Sequence, residues 1–375
     1  MRIAVLGAGM MGSAVARLLA RHADVDLIVA DVDETRARAA VDGAGRGKAI
    51  TMGTDPAALR DLLDDVEAVA SCVPYRRNLE VMEAALEAKC PYGDLGGLFH
   101  MTIQQLDLDD RFREAGVPAV AGAGCCPGLS NVLAKLAQPR FDQVETVDII
   151  DGAIDEGGFG VPYSADTILD EFTVPAMIFE DGRLLEVPPG SGAIPYLFPE
   201  PLGEMEAVYT LHSEPATLPR TIPGVRNVRW RLALPPKVAE GFRLLIELGL
   251  ASDQPVRTRS GSAVPRDVLT AVLDRLSRTE GPPRDVEILV VRVSGPRRGD
   301  PVVTTCQATF RPTPEGISAG AFGTASPMAV GARWLAAGRV APGVHPPETA
   351  FEPEAFVDDL REEGVQIRIE EEAPV

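Results

Sequence analysis

The sequence predicts an α/β fold, with an N-terminal doubly wound parallel sheet of the Rossmann type and a central mixed α/β domain that is rich in strands. Two observations predict the first domain. An apolar run at residues 3–6 leads directly into Gly7-Ala-Gly9-Met-Met-Gly12, and short apolar strands then alternate with helices for about 120 residues. A third observation predicts the second domain, because beyond residue 122 the candidate strands alternate more clearly and lie further apart.

The apolar runs predict the first domain element by element. Residues 3–6 form a short buried strand, a helix covers 13–20, and residues 25–30 return as a strand that ends at Asp31, which completes a βαβ unit. The alternation then predicts helices at 56–63 and 79–88 and another that ends near residue 115, with strands at 68–73, 92–95 and 117–121. Counted with a third strand between those at 25–30 and 68–73, these make six strands, a number typical of a nucleotide-binding domain.

The second domain is predicted from wider-spaced patterns. Strands are expected at 144–151, 177–179, 226–233, 242–248, 287–295 and 302–310, and helices at 129–137, 165–172 and 265–276. Pro-rich stretches at 187–201 and 312–314 indicate loops, and residues 370–375 indicate a solvated acidic tail. Helices at 326–337 and 352–363 are expected to return to the first domain. The predicted domains are therefore 1–125 with 326–375, and 126–325.

Composition excludes several classes of protein. The 375 residues contain 36 Lys and Arg against 55 Asp and Glu, a net charge of −19 that disfavours nucleic acid or an anionic membrane as the main partner. No apolar stretch approaches the roughly 20 residues that a membrane span needs. The five cysteines are odd in number and form no CxxC pair, so neither a disulfide framework nor a metal site is expected, and a cytoplasmic location is expected.

The Gly-rich turn predicts a dinucleotide site. Gly7 permits the tight turn, Gly9 lets the backbone approach a pyrophosphate, and Gly12 lets helix and strand pack closely. Asp31 lies 19 residues beyond Gly12, where it would accept both ribose hydroxyls, and its charge favours NAD, with NADP possible because Arg36 follows nearby. The expected cofactor contacts also include Met10, Met11 and Val32. The alternative is a Gly-rich turn in an α/β domain that binds no nucleotide.

Two further strand ends are expected to face the cofactor crevice. Cys72, Val73 and Pro74 close the fourth predicted strand and would border the nicotinamide. Asp94 closes the fifth strand and could point its carboxylate at the substrate, although an N-cap or turn aspartate is an equally simple interpretation.

These elements together resemble a known family. Gly7-Ala-Gly-Met-Met-Gly12, Asp94-Leu-Gly-Gly97 and Pro127-Gly-Leu-Ser-Asn131 are similar to motifs of the saccharopine dehydrogenase-like superfamily, most closely the L-lysine 6-dehydrogenases. The similarity spans nearly the whole chain and includes Gly343-Val-His-Pro-Pro-Glu348. The resemblance implies NAD(P)-linked interconversion of an amine and an imine, and a homodimer formed through the central domain.

That chemistry requires a base, because a carbon that bears nitrogen gives up hydride only when the nitrogen lone pair is free. Asp94, His100 and His212 are the candidate catalytic residues. His100 lies six residues beyond Asp94, within reach of the crevice. For each histidine the alternative is an ordinary surface or core residue.

An amino acid substrate brings a carboxylate and an ammonium, so the site should offer an arginine and an acid. Asp166 occupies the place of Ser-x-Glu-Gly in similar enzymes, with a shorter acid and no glycine, and Glu214 lies where lysine 6-dehydrogenases are Gly-rich. Arg220 would then hold the carboxylate, unless Glu214 and Arg220 form only a surface ion pair. The full predicted substrate set is Tyr75, Gly96, Gly97, Asp166, Glu214, Thr217 and Arg220.

The sequence therefore predicts an NAD(P)-dependent dehydrogenase that oxidises a C–N bond of a basic amino acid, as L-lysine 6-dehydrogenase does. The alternative within the superfamily is a saccharopine- or carboxynorspermidine-type reductase, which joins an amine and a keto acid or semialdehyde. A non-catalytic dinucleotide-binding sensor is the alternative from another class. A hydrolase is not supported, because the chain has neither a GxSxG nor an HExxH motif.

Overall fold

The computed structural model describes residues 1–52, 55–155, 164–259, 261–276 and 281–372. This part of the chain contains fourteen α-helices and eighteen strands. The strands form two main sheets and one small hairpin. In chain order they are β1 (Arg2–Leu6), α1 (Met10–Ala20), β2 (Asp26–Asp31), α2 (Glu34–Ala44), β3 (Lys48–Thr51), α3 (Pro56–Leu63), β4 (Ala68–Ser71), α4 (Asn78–Glu87), β5 (Tyr92–Asp94), α5 (Leu98–Leu106), α6 (Asp109–Ala115), β6 (Pro118–Val120), α7 (Leu129–Ala137), β7 (Thr146–Asp155), α8 (Ala165–Thr173), β8 (Ala176–Glu180), β9 (Arg183–Val187), β10 (Ile194–Leu197), β11 (Glu204–Tyr209), α9 (Glu214–Thr221), β12 (Asn227–Ala233), α10 (Pro236–Glu247), β13 (Val256–Thr258), β14 (Gly261–Ala263), α11 (Pro265–Leu276), β15 (Asp285–Arg297), β16 (Asp300–Phe310), α12 (Ala319–Ala336), β17 (Gly343–His345), α13 (Pro347–Ala350), α14 (Pro353–Glu362) and β18 (Gln366–Glu372).

The first sheet has the order β17-β6-β5-β4-β1-β2-β3, and every pair in it is parallel. This is a doubly wound order: β1 is followed on one side by β2 and β3, and β4 starts the other side, which continues through β5 and β6. The predicted Rossmann domain is confirmed, and a late strand, β17, extends it by pairing with β6. Ligands bind at the carboxyl ends of the strands where such an order reverses, so the crevice beyond β1 and β4 is the expected site.

The second sheet is mixed and contains nine strands in the described chain, with β12 parallel to β7 and the other pairs antiparallel. One apolar core continues through both sheets. It includes Val5 and Val29 from the first, Ile149 and Val291 from the second, and Met328 from α12 between them. Because α12 packs against α1, β4, β5 and β15, it fixes the second sheet over the crevice of the first.

Four details differ from the sequence prediction. The strand predicted at 242–248 is wrong, because α10 covers it: Val238 and Phe242 are buried at helical spacing, whereas Leu244 and Leu248 are exposed. The Pro-rich stretch 187–201 contains β10, an edge strand on which Pro195 is tolerated.

The remaining two differences lie near the C-terminus. α12 begins at Ala319 rather than at residue 326, since Ser318 caps it and Pro327 lies inside it. The predicted acidic tail is instead part of β18, which pairs with β16 through residue 372, while residues 373–375 lie outside the described chain. The predicted domain boundaries stay a prediction. Among the described residues, no helix is both long and apolar enough to cross a bilayer.

Candidate active site

A continuous cavity of about 1110 Å³ lies where the two sheets meet. Its wall on the side of the first sheet includes Gly7, Asp31 and Val73, which follow or end β1, β2 and β4. Its opposite wall includes Asp151 of β7 and Trp230 of β12. The cavity therefore joins the predicted dinucleotide crevice to a second chamber. The central domain forms this second chamber, whose lining includes the acids Asp151, Glu171 and Glu287.

The Gly-rich turn has the geometry that a pyrophosphate requires. Gly7 has φ of +89°, and a Cβ there would lie 2.8 Å from the carbonyl oxygen of Cys72. A Cβ on Gly12 would lie 1.7 Å from the carbonyl oxygen of Gly7, so helix and turn pack in direct contact. A Cβ on Gly9 would meet nothing within 4 Å. The tight turn, the open approach and the close packing expected of the three glycines are therefore seen in the backbone, and their contact with a dinucleotide stays a prediction.

Other predicted cofactor residues line the same cavity, namely Met10, Met11, Asp31, Val32, Cys72, Val73 and Pro74. Asp31 ends β2, and its carboxylate accepts hydrogen bonds from the backbone amides of Ala8 (2.6 Å) and Asp33 (2.8 Å). The side chain of Arg36 faces the cavity as well. The residues fit a dinucleotide: Gly9 and the start of α1 would hold its pyrophosphate, Asp31 its adenosine ribose, and Val73 and Pro74 would border its nicotinamide.

Asp94 does not face the cavity, and its predicted role as the base is not supported by its surroundings. It is 1% exposed. Its Oδ1 accepts the backbone amides of Gly96 (2.8 Å) and Gly122 (2.9 Å), and its Oδ2 accepts the Tyr92 hydroxyl (2.8 Å) and the Gln105 amide. Burial raises the pKa of Asp94, although these four donors oppose that shift. Asp94 ties β5 to the turns after β5 and β6, which carry the cavity residues Gly96 and Cys125.

Three other predicted residues lie away from the cavity. His100 is exposed on α5, and Arg220 is exposed at the end of α9. Asp166 is also exposed, and its carboxylate pairs with Arg266 at 2.9 Å. Their exposed positions outside the cavity lining do not support the predicted roles of His100 as base, Arg220 as carboxylate partner and Asp166 as substrate acid, and those roles stay predictions.

Two residues of the predicted substrate set, Tyr75 and Gly96, do line the cavity. Gly96 has φ of +114° and lies against Pro127. Tyr75 donates its hydroxyl to Asp170 at 2.7 Å, and Asp170 also pairs with Arg266 at 2.7 Å. Gly97 instead precedes α5, where a Cβ would collide with Met101.

The motif Pro127-Gly-Leu-Ser-Asn131 supports the wall of the second chamber through buried hydrogen bonds. Ser130 donates its hydroxyl to Glu214 at 2.7 Å, and the Asn131 amide donates to Thr217 and to Glu348, each at 3.0 Å. The side chains of all five residues in these hydrogen bonds are buried. Thr217, predicted to bind substrate, belongs to this supporting layer.

His212 is the one predicted acid–base residue that lies in the cavity wall. Its Nδ1 is 2.8 Å from Glu214, and its ring stacks on Trp230 with the centroids 3.8 Å apart. Burial lowers the pKa of His212, but the charges of Glu214, Glu171 and Asp151 outweigh it and the pKa is raised. Burial likewise opposes ionisation of Glu214, yet His212 and Ser130 hold its pKa below the usual range. Both shifts favour the charged form of the pair, an imidazolium beside a carboxylate.

Three further acids line the chamber, and sequence reasoning missed them: Asp151, Glu171 and Glu287. Burial raises the pKa of Asp151 to about 7, with His212 opposing the shift and Glu171 and Glu214 adding to it. Burial and the charge of Asp151 also raise the pKa of Glu287. The sequence signal that could have found Glu287 is an acid within an apolar strand, because Glu287 stands between Val286 and Ile288.

The fold and the cavity together define an NAD(P)-dependent oxidoreductase of the Rossmann class. Residues 3–120 match the saccharopine dehydrogenase NADP binding domain, and residues 124–365 match the saccharopine dehydrogenase C-terminal domain. The chain belongs to the saccharopine dehydrogenase family.

The named relatives share only 26% sequence identity with this chain. Carboxynorspermidine synthase of Vibrio alginolyticus is 26% identical over 302 residues, which cover 73% of this chain and 72% of that protein. Carboxyaminopropylagmatine dehydrogenase of Synechocystis is 26% identical over 288 residues, 72% of each chain. The solved structure of saccharopine dehydrogenase (L-Glu forming) from Saccharomyces cerevisiae has a TM-score of 0.79 at 18% identity, covers 99% of this chain and 100% of that one, and supports the fold.

Gly9 and Gly12 offer a matched test of the dinucleotide site. Gly9→Ala adds a methyl group to open space, so the free energy of unfolding should change by less than about 0.5 kcal/mol while the affinity for NADH or NADPH falls about tenfold or more. Gly12→Ala should lower both, because its methyl group collides with Gly7. Calorimetric titration with the dinucleotide and denaturant unfolding without it measure the two effects. Unchanged affinity in Gly9→Ala would contradict the placement of the pyrophosphate.

Asp94→Asn separates a structural role from a catalytic one. The amide nitrogen would face donors on every side, so the free energy of unfolding should fall by about 1–3 kcal/mol. Turnover of the folded enzyme should fall far less than the roughly 10²- to 10⁴-fold that loss of an acid–base catalyst costs. A variant of normal stability with a loss of that size would show that Asp94 is the base after all.

Proposed function

We propose that this protein is a reductase that joins a primary amine of an oligoamine to a carbonyl compound, with NAD(P)H as the reductant. The amine and an aldehyde or ketone lose one water to give a C=N bond, and two electrons and two protons convert that bond to a secondary amine. The observation that carries the proposal is the group of buried carboxylates, Asp151, Glu171 and Glu287, in the wall opposite the nicotinamide position.

Charge favours an oligoamine over an amino acid as the amine substrate. Buried carboxylates are costly unless cations compensate them, and His212 is the basic side chain among the second-chamber residues named above. A substrate with several ammonium groups supplies the missing charge. The Arg220 that was predicted to hold an amino acid carboxylate lies exposed elsewhere.

The relatives support the same class of substrate. Carboxynorspermidine synthase and carboxyaminopropylagmatine dehydrogenase both carry names of carboxylated oligoamines. Their similarity covers about 72% of each protein. The carboxylate in such a product would come from the carbonyl partner, a semialdehyde or keto acid.

Asp151 is placed to accept the proton that the substrate amine must lose. With a pKa of about 7 it exchanges a proton readily at neutral pH. The neutral amine then attacks the carbonyl carbon. His212, kept protonated by Glu214, can donate a proton to the hydroxyl that leaves as water. When bound beside Val73 and Pro74, the reduced nicotinamide supplies the hydrogen and electron pair that reduce the C=N bond.

The preference between NAD and NADP follows from the end of β2. Asp31 repels a 2′-phosphate and accepts the 2′-hydroxyl of NAD. Arg36 faces the same part of the cavity but is also 3.8 Å from the carboxylate of Asp33, which competes for its charge. We therefore expect NAD to be preferred, with NADP as the alternative that Arg36 permits.

Oxidative deamination of lysine remains the second candidate, because the same carboxylates can hold a side-chain ammonium. A substrate panel decides between the two. The full chain should oxidise NADH or NADPH only when a diamine, norspermidine or agmatine is present together with an amino acid semialdehyde or a keto acid. Absorbance of the reduced nicotinamide is followed, with each half alone as the control. Reduction of NAD by lysine and no consumption with any pair would favour the dehydrogenase, and inertness in both directions would favour a sensor.

Glu214→Gln tests the His212–Glu214 pair through the pH profile. The charge of Glu214 raises the pKa of both His212 and Asp151, so its removal should lower both. Activity needs deprotonated Asp151 and protonated His212, and therefore both limbs of the kcat profile should move to lower pH. Glu348→Gln is the matched control, because it removes a buried carboxylate that contacts Asn131 and Thr221 outside the cavity. A profile that moves equally in the two variants would contradict these roles.

A further inference from the structure

Two adjacent cysteines in the wall of the second chamber have no part in the proposed reduction. Cys125 and Cys126 both line the cavity, and their sulfur atoms are 3.8 Å apart. The Cys125 thiol also contacts Glu287. The sequence offered no CxxC spacing, so the pair carried no metal signal until the fold placed a third group beside it.

That third group is Asp151. One carboxylate oxygen of Asp151 and the two sulfur atoms all lie within 4.8 Å of one another. In tetrahedral zinc sites the Zn–S distance of about 2.3 Å places two sulfur ligands about 3.8 Å apart. The separation of the two sulfur atoms therefore already matches a shared metal ion, and a carboxylate oxygen of Asp151 lies within 4.8 Å of both.

An independent observation points to a ligand for Asp151. Its Oδ1 is buried and has no hydrogen-bond partner among the described residues, while its side chain lines the cavity. An unpartnered carboxylate oxygen in such a place is costly unless a cation or donor reaches it. A metal bound by the two sulfur atoms would lie within reach of that oxygen.

The charges around the three groups also favour a cation. Glu171 and Glu287 line the same chamber, and Glu214 lies behind His212. His212 is the opposing positive charge. Soft thiolate ligands select zinc-like ions over magnesium or calcium.

We propose that Cys125, Cys126 and Asp151 form a binding site for a soft divalent cation of the zinc class, and that the bound ion excludes the substrate amine. Binding forms two metal–sulfur bonds and releases two thiol protons to solvent, with no change of oxidation state. The fourth position stays open to water, as in sites with three protein ligands. The exclusion of the amine rests on the proposed function, since both cations need Asp151.

Cadmium is the probe for the site. The reduced full chain is titrated with Cd²⁺ without substrate, and the thiolate-to-cadmium absorbance in the ultraviolet is followed. We expect one Cd²⁺ per chain, displacement by Zn²⁺, and loss of at least half of the absorbance in Cys125→Ser and in Cys126→Ser. Asp151→Asn should keep the absorbance and weaken the affinity about tenfold. Cys90→Ser is the matched control, because Cys90 is buried under the first sheet in another apolar cluster.

Unchanged absorbance in Cys126→Ser, or a loss of absorbance that follows Cys90, would overturn the metal site. Cys126 is half-buried, so this variant keeps the test valid even where the buried Cys125→Ser does not fold. Because the titration contains no substrate, its failure leaves the reductase proposal intact. Zn²⁺ inhibition that is competitive with the amine supports the exclusion, and non-competitive inhibition refutes it.

Discussion

Burial of negative charge at the junction of the two sheets is the constraint to which the rest of the site responds. Asp151, Glu171 and Glu287 are buried there, although a carboxylate removed from water is stable only beside donors or cations. His212 compensates part of that charge and is hydrogen-bonded to Glu214. Glu214 in turn accepts a hydrogen bond from Ser130. Burial raises the pKa of Asp151 to about 7, with His212 opposing the shift and Glu171 and Glu214 adding to it. A chamber of this kind is suited to cations that arrive with the substrate.

The first domain meets a different requirement, which is to bring a backbone close to a diphosphate. Contact between Gly7 and Gly12 holds the turn, and Gly9 leaves the space open. Asp94 then fixes the turns after β5 and β6 by accepting four hydrogen bonds, so the wall that continues from Gly96 to Cys125 is rigid. α12 spans both sheets and sets the distance between the two chambers.

The fold was largely predictable from sequence, and the acidic chamber was not. The Gly-rich turn, Asp31 and the alternating apolar runs are local patterns that determine the first domain. Asp94 showed the limit of such reasoning, because a strand-end position does not reveal whether a carboxylate faces a cavity or its own neighbouring amides. Asp151 and Glu287 lie 136 positions apart in the sequence, and only the pairing of β7 with β15 brings them together. Likewise, the sequence did not reveal that His100, Asp166 and Arg220 are exposed on α5, α8 and α9 and lie outside the cavity lining.

The central claim is that the second chamber binds a multiply charged amine through its carboxylates. The most direct measurement is calorimetric affinity for a matched series, propylamine, 1,3-diaminopropane and norspermidine, with the oxidised dinucleotide present and at two salt concentrations. Affinity should rise with each added ammonium group, weaken with salt, and lose this dependence in Asp151→Asn. Equal affinity across the series, or binding only of amines that carry an α-carboxylate, would contradict the central claim.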